Sequence, residues 1–252
     1  MSKASKRISE FFSVGSHDIA PASACHAARV LFAPVSRDVE VSKLCASILS
    51  DAELERRARF AAESDKARFE QRRAFRRFCG ATALGSSQPL SEIVFEETEN
   101  GRPYLSQSPN LWFSFSSCQS GLLGAWSSAH AIGVDLEDLT RDMEARSLAR
   151  QFFSVAEADA VEAVSGQQCL RTFYRFWSLK EAALKSIGQG LPYGLDAFEF
   201  AEPLEAGQQR GLLVDVMPDE WPPEELGQRL GVLLLDRGDA TRGGQRIEIV
   251  ES

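Results

Sequence analysis

No stretch of the 252-residue chain restricts its architecture more than Ile132-Gly133-Val134-Asp135-Leu136-Glu137. Apolar and polar residues alternate there, the period of a strand with one face in a core. Ile132, Val134 and Leu136 take the inner face, and Asp135 and Glu137 share the other. Two neighbouring carboxylates repel unless solvent or a cation relieves them. Further along, Leu170 to Ser186 has helical spacing, with Leu170, Phe173, Trp177 and Leu184 as its apolar face. Trp177, Glu181 and Lys185 follow at i, i+4, i+8 and form one stripe beside that face. Gly188 sits where a left-handed C-cap ends such a helix.

The rest of the chain reads as more of the same mixture. Residues 1–25 are polar and aperiodic and are expected to be a loose arm. Ala28 to Val35 reads as a buried strand, and Ser50 with Glu53 as the capping box of a helix. A second helix is expected from Asp65 to Cys79, stopped by Gly80, then a strand at Ile93–Phe95 and a turn at Asn100–Pro103. Leu111–Phe115 and Leu122–Trp126 read as a strand pair. Helices follow near 143–152 and 155–164, and strands at 197–200, 212–216, 231–236 and 246–250, with a Pro-rich loop at 218–223. Each half thus has helices and a small antiparallel sheet. The expected fold is α+β, two similar lobes (a pseudo-dimer) spanning 26–130 and 131–252, with the active-site cleft between them.

Charge is unevenly spread. Residues 1–130 hold 16 basic and 14 acidic residues, whereas residues 131–252 hold 12 and 22. Within the first part, segment 56–77 carries nine basic residues against Glu63, Asp65 and Glu70. A basic patch on a chain of net charge −8 points to an anionic ligand rather than bulk nucleic acid, and a solvated helix face with internal ion pairs is the plainer alternative. Five scattered cysteines with no CxxC argue against structural zinc and against a secreted disulfide framework. No apolar run approaches the roughly 18 residues of a membrane helix. The basic residues before Phe11-Phe12 precede no apolar signal core either. A cytoplasmic protein is expected, with neither membrane nor nucleic acid as partner.

The carboxylate pair is consistent with a hard cation such as Mg²⁺, or simply with a wet strand face. Glu181 and Lys185 are consistent with site residues or with a surface ion pair. His130 has no role beyond that of an ordinary surface or core histidine. The motifs together go further. Gly133-Val134-Asp135-Leu136-Glu137, followed by Trp177-Ser-Leu-Lys180-Glu181-Ala-Ala-Leu-Lys185-Ser-Ile-Gly188-Gln-Gly190-Leu191, resembles the two-part motif of the 4′-phosphopantetheinyl transferase superfamily. Asn100-Gly101-Arg102-Pro103, Phe113-Ser114-Phe115-Ser116-Ser117 and Phe152-Phe153-Ser154-Val155-Ala156-Glu157 resemble three further segments of its surfactin-synthetase-activating type, which serves secondary metabolite biosynthesis. Two positions depart from that pattern: Ser117 replaces a histidine that contacts a coenzyme A phosphate, and Ser114 replaces an asparagine.

The resemblance implies transfer of 4′-phosphopantetheine from coenzyme A to a serine of an apo acyl or peptidyl carrier protein, releasing adenosine 3′,5′-bisphosphate. It implies Mg²⁺ held by Asp135, Glu137 and Glu181, Glu181 as base, and Lys185 balancing charge at the phosphoryl group with Lys180 in support. It further implies that Arg56, Arg68, Arg102, Ser116 and Ser117 grip the phosphates, with Arg72 or Arg76 able to replace any of the arginines, and it leaves Glu157 without a role. A single chain is expected to form the whole cleft, hence a monomer. A binding module for carriers or coenzyme A without turnover, or another Mg²⁺-dependent phosphoryl enzyme such as a coenzyme A hydrolase, stand as alternatives.

Overall fold

The structure, a computed structural model, describes residues 2–15, 17–18, 28–128, 131–138, 144–188, 194–197 and 199–200, together with strand residues 211–216, 228–236 and 246–248. The chain begins with α1 (Lys3–Gly15), β1 (His17–Asp18) and β2 (Ala28–Pro34), followed by α2 (Val39–Ala46), α3 (Asp51–Ala58) and α4 (Glu63–Leu84). A 3₁₀ turn at Leu90–Glu92 leads to β3 (Glu96–Glu97) and β4 (Pro103–Tyr104), then to β5 (Trp112–Ser117) and β6 (Gly121–Ser127). Next come β7 (Ile132–Asp138), α5 (Ala145–Phe152), α6 (Val155–Glu162) and α7 (Gln167–Ile187). A 3₁₀ turn at Leu195–Ala197 precedes β8 (Gly211–Val216), β9 (Gln228–Asp236) and β10 (Arg246–Glu248). The protein is α+β.

The first sheet runs β1-β2-β6-β5, all neighbours antiparallel. In the second, β9 pairs antiparallel with β7 along one edge, and with β8 and β10 in succession along the other. Alternation on the first sheet feeds two cores. Leu31, Ala33, Phe113, Leu122 and Trp126 face α1, α2 and α4. Val30, Phe32, Leu123 and Ala125 meet Ile132, Val134 and Leu136 of β7, so an apolar seam joins the sheet to the strand carrying the carboxylate pair. A third core gathers α5, α6, α7 and Phe200.

Several sequence expectations change on contact with these cores. The first residues are not a loose arm through 15: α1 buries Ile8 and Phe12 completely, and its Ser5 Oγ accepts a hydrogen bond from Leu90 N at 2.9 Å. Gly80 does not stop α4. It lets the helix approach the next segment, since a Cβ there would lie 2.8 Å from Ile93 Cγ2. The stop comes at Gly85, in the left-handed conformation with φ 57°. Ile93 is buried outside any strand, and β3 begins only at Glu96. A 3₁₀ turn at Leu195–Ala197 occupies the start of the expected strand 197–200, and residues 199 and 200 form none. Helix α2 had no sequence signal beyond its Asp38 cap, which accepts from Glu40 N at 2.8 Å. The expected loop 218–223 and His130 lie outside the described residues.

Candidate active site

The strand β7 presents Asp135 and Glu137 to α7, as the alternation requires. Helix and strand come together because residue 133 is glycine: a Cβ there would stand 1.8 Å from the carbonyl oxygen of Ala182. The contact brings the α7 stripe onto the carboxylates. Lys185 Nζ lies 2.6 Å from Asp135 Oδ1 and donates to Ser116 Oγ at 3.2 Å. Ser116 in turn donates to the same Asp135 oxygen at 2.9 Å, so β5, β7 and α7 meet at one atom. Trp177 Nε1 donates to Glu137 Oε1 at 3.1 Å. One turn on, Glu181 lines a pocket of about 210 Å³ with Arg76, Arg102, Ser114 and Lys185.

Electrostatics single out the same groups. Burial, reinforced by the Asp135 charge, pushes the Glu137 carboxyl up to about 7, against the opposing pull of Lys185 and the indole N–H. Burial also raises Glu181, with Lys185 opposing and Asp135 adding to the rise. Asp135 is almost fully buried, and its second oxygen, Oδ2, has no hydrogen-bond partner. A buried, unpartnered carboxylate oxygen is costly unless something positive meets it. Among the described residues no three acidic, His or Cys side chains converge as a closed metal cage. Mg²⁺ does not require one, since it keeps waters and takes substrate phosphate oxygens beside one or two carboxylates. The donor set, all oxygen with an orphaned Asp135 Oδ2, fits such an ion.

Ser114, which departs from the family pattern, acts within the fold. Its Oγ accepts from Val134 N at 3.0 Å and ties β5 to β7. Ser116 and Ser117 line a second pocket, of about 270 Å³, whose opposite wall is Arg72 and Arg76 of α4. Arg102 follows the left-handed Gly101 (φ 80°), and its Nη2 donates to the carbonyls of Lys185 (2.9 Å) and Ser186 at the end of α7. Arg56 lies over the Phe69 ring at 5.9 Å, and Arg68 pairs with Asp65 at 2.7 Å beside a separate cavity between α2 and α4. Neither lines the two pockets next to Asp135 and Lys185.

Lys180 requires a correction. It is fully buried on the far side of α7, with Nζ 2.7 Å from Glu157 and donating to Leu195 O at 2.8 Å, and it lies over the Phe153 and Phe200 rings. Held by Glu157 and Leu195, it lines neither of the two pockets beside Ser116 and Lys185. The same contacts give Glu157 a role: it completes the α6 capping box with Ser154 and accepts from Phe200 N at 2.8 Å.

Carboxylates, an ammonium group and an arginine-lined pocket thus gather around one strand–helix contact. Residues 131–226 match the model of the 4′-phosphopantetheinyl transferase superfamily. The chain is 30% identical over 183 residues to the 4′-phosphopantetheinyl transferase HetI of Nostoc sp., covering 69% of this chain and 76% of that protein. It is 32% identical over 111 residues to the 4′-phosphopantetheinyl transferase psf-1 of Bacillus pumilus, 44% of this chain and 46% of the relative. A 4′-phosphopantetheinyl transferase of Bacillus subtilis is 33% identical over 106 residues, again 46% of its length. The chain thus spans about half the length of the two Bacillus relatives it matches. It belongs to the 4′-phosphopantetheinyl transferase superfamily. No described helix is long and apolar enough to cross a membrane.

Proposed function

We propose that this chain transfers the 4′-phosphopantetheine group of coenzyme A to a serine hydroxyl of an apo acyl or peptidyl carrier protein. The observation that carries the reading is the junction of Asp135, Ser116 and Lys185, with Glu181 one turn away on α7. Asp135, with Glu137 and Glu181, would hold Mg²⁺, which supplies charge neutralisation at the pyrophosphate. The serine oxygen attacks the phosphorus bearing pantetheine, the bond to the bridging oxygen breaks, and adenosine 3′,5′-bisphosphate leaves. Glu181, its carboxyl raised above the ordinary carboxylate value by burial, takes the serine proton directly or through a water. Lys185 holds its ammonium where negative charge grows on the transferring phosphoryl group. Arg102 orders the end of α7 beneath that group.

The same reading treats 26–130 and 131–252 as two α+β lobes of a pseudo-dimer with the site between them. Its support is that each sheet is backed by one long helix, α4 or α7, and that both helices end on a left-handed glycine, Gly85 or Gly188. The groups gathered at Asp135 all come from this chain, which favours a monomer. The motifs favour the surfactin-synthetase-activating type.

Intact mass of an apo carrier incubated with coenzyme A, with Mg²⁺ or with EDTA, tests the proposal. One added phosphopantetheine with Mg²⁺ alone, lost in the charge-neutralising Glu181→Gln, is expected. Release of bisphosphate without any carrier gain points to a hydrolase. Tight coenzyme A binding with neither product points to a module without turnover.

A further inference from the structure

Strand β5 reads Phe113-Ser114-Phe115-Ser116, and its alternation sends the rings to the first core and the hydroxyls toward β7. The two strands belong to different sheets, and side chains tie them together. Ser114 Oγ accepts from Val134 N at 3.0 Å, and Ser116 Oγ donates to Asp135 Oδ1 at 2.9 Å. A third tie lies just past the end of β5. Asp138, the last residue of β7, accepts from Gln119 N through Oδ2 at 2.8 Å and from the Ser120 hydroxyl through Oδ1. Alternation puts Asp138 on the face of Val134 and Leu136, so the apolar seam ends in a carboxylate.

The β5–β6 turn that Asp138 holds is braced from the other side as well. Cys118 N donates to Gly121 O at 3.0 Å, and Val35 N, just past β2, donates to Ser120 O at 2.8 Å. Gln71 of α4, fully buried, brackets the next residue. Its amide oxygen accepts from Ser36 N at 2.8 Å, and its amide nitrogen donates to Ser36 O at 2.9 Å. Cys118 packs against the seam, and its thiol stays protonated, pushed up to about 12 by burial first and the Asp138 charge second. Support from β2 and α4 thus meets the turn on one side, and Asp138 fastens its tip to β7 on the other. Immediately before the turn stands Ser116, whose Oγ is shared between Asp135 and Lys185 Nζ, the latter at 3.2 Å.

We propose that Asp138 is a positioning residue for the transfer site: by holding the β5–β6 turn against β7, it sets where Ser116 stands beside Asp135 and Lys185. The inference rests on the transferase reading above and adds to it a residue that takes no part in the chemistry. Two hydrogen bonds to one carboxylate fix direction as well as distance. A small misplacement of a group beside the reacting atoms is felt in the rate. In sequence Asp138 is one more acidic residue after Asp135 and Glu137, and the strand's alternation sets it on the opposite face from both.

Steady-state transfer to an apo carrier with Mg²⁺ present tests it in wild type, Asp138→Ala, Asp138→Asn, Ser116→Ala and the double variant Asp138→Ala/Ser116→Ala. Melting curves confirm that each folds, and amide hydrogen exchange at Gln119 reads the latch itself. Asp138→Ala is expected to lower kcat/KM for coenzyme A about tenfold and to speed Gln119 exchange. In Asp138→Asn the amide oxygen still accepts from Gln119 N and the amide nitrogen donates to the Ser120 hydroxyl, so activity is expected within about threefold of wild type. The double variant is expected within about twofold of Ser116→Ala alone, since both changes act through one group. A double variant that shows the product of the two single losses overturns the proposal. So does an Asn variant no better than Ala, because charge rather than the latch is then what matters. Gln119 exchange no faster in Asp138→Ala than in wild type also overturns it, while leaving the transferase reading intact. A wild type without transfer overturns that reading and the proposal with it.

Discussion

Glu137 shows how much of this site is decided by what surrounds a single side chain. Its carboxyl is raised to about 7 by burial first and by Asp135 second, and the indole N–H of Trp177 offsets part of the rise. In the unfolded chain the same group ionises near 4.5. Between those two values the folded protein retains a proton that the unfolded chain has lost, so stability from this group falls as pH rises through that window. Glu137→Gln is therefore expected to raise the melting temperature more at pH 8 than at pH 5, relative to wild type at each pH. Equal shifts at both would show that the carboxyl titrates normally. Trp177→Phe keeps the ring packed on Phe173 but removes the donor, so the Glu137 titration followed by NMR is expected to move higher still.

Helix α7 carries its functional stripe on one side and an anchor on the other. The anchor is the Lys180–Glu157 pair, both fully buried, which ties α7 to α6 and to Phe200. Removing one partner of such a pair costs about 3–5 kcal/mol, because the other charge is left buried and unpaired. Lys180→Met is expected to show that loss in urea unfolding, and combining it with Glu157→Leu to recover most of it. If Lys180→Met is silent, the pair is not what holds the helix. On the opposite side, Gly133→Ala is expected to cost about 1–3 kcal/mol or more by forcing β7 and α7 apart, with transfer activity falling alongside. Helical spacing sets residues 180 and 181 about 100° apart, but it does not say that Lys180 is the buried one. Burial decides it, and burial is set by α6 and Phe200 rather than by local pattern.

Across the molecule, what could be read in advance was whatever depends on short-range spacing. The alternation of 132–137, the Ser50 capping box and the Trp177–Glu181–Lys185 stripe all appear as the residues predict. What could not be read depends on distant partners. Polar α1 folds because Phe12 finds Phe75 and Phe78 of α4, and Phe12→Ala is expected to cost about 3–5 kcal/mol in thermal or urea unfolding. Which basic residues of 56–77 meet a carboxylate in place, such as Arg57 with Glu70, Arg68 with Asp65 and Arg77 with Glu53, shows only in the fold. The seam between the first sheet and β7 has a consequence of its own. Its seven apolar side chains join β2 and β6 of the first sheet to β7, the strand that carries Asp135 and Glu137. Phe32, Leu123 and Val134 thus act as a shim whose thickness sets how far the first sheet stands from that strand. A methylene added or removed there retunes the fit to a ligand that none of them touches.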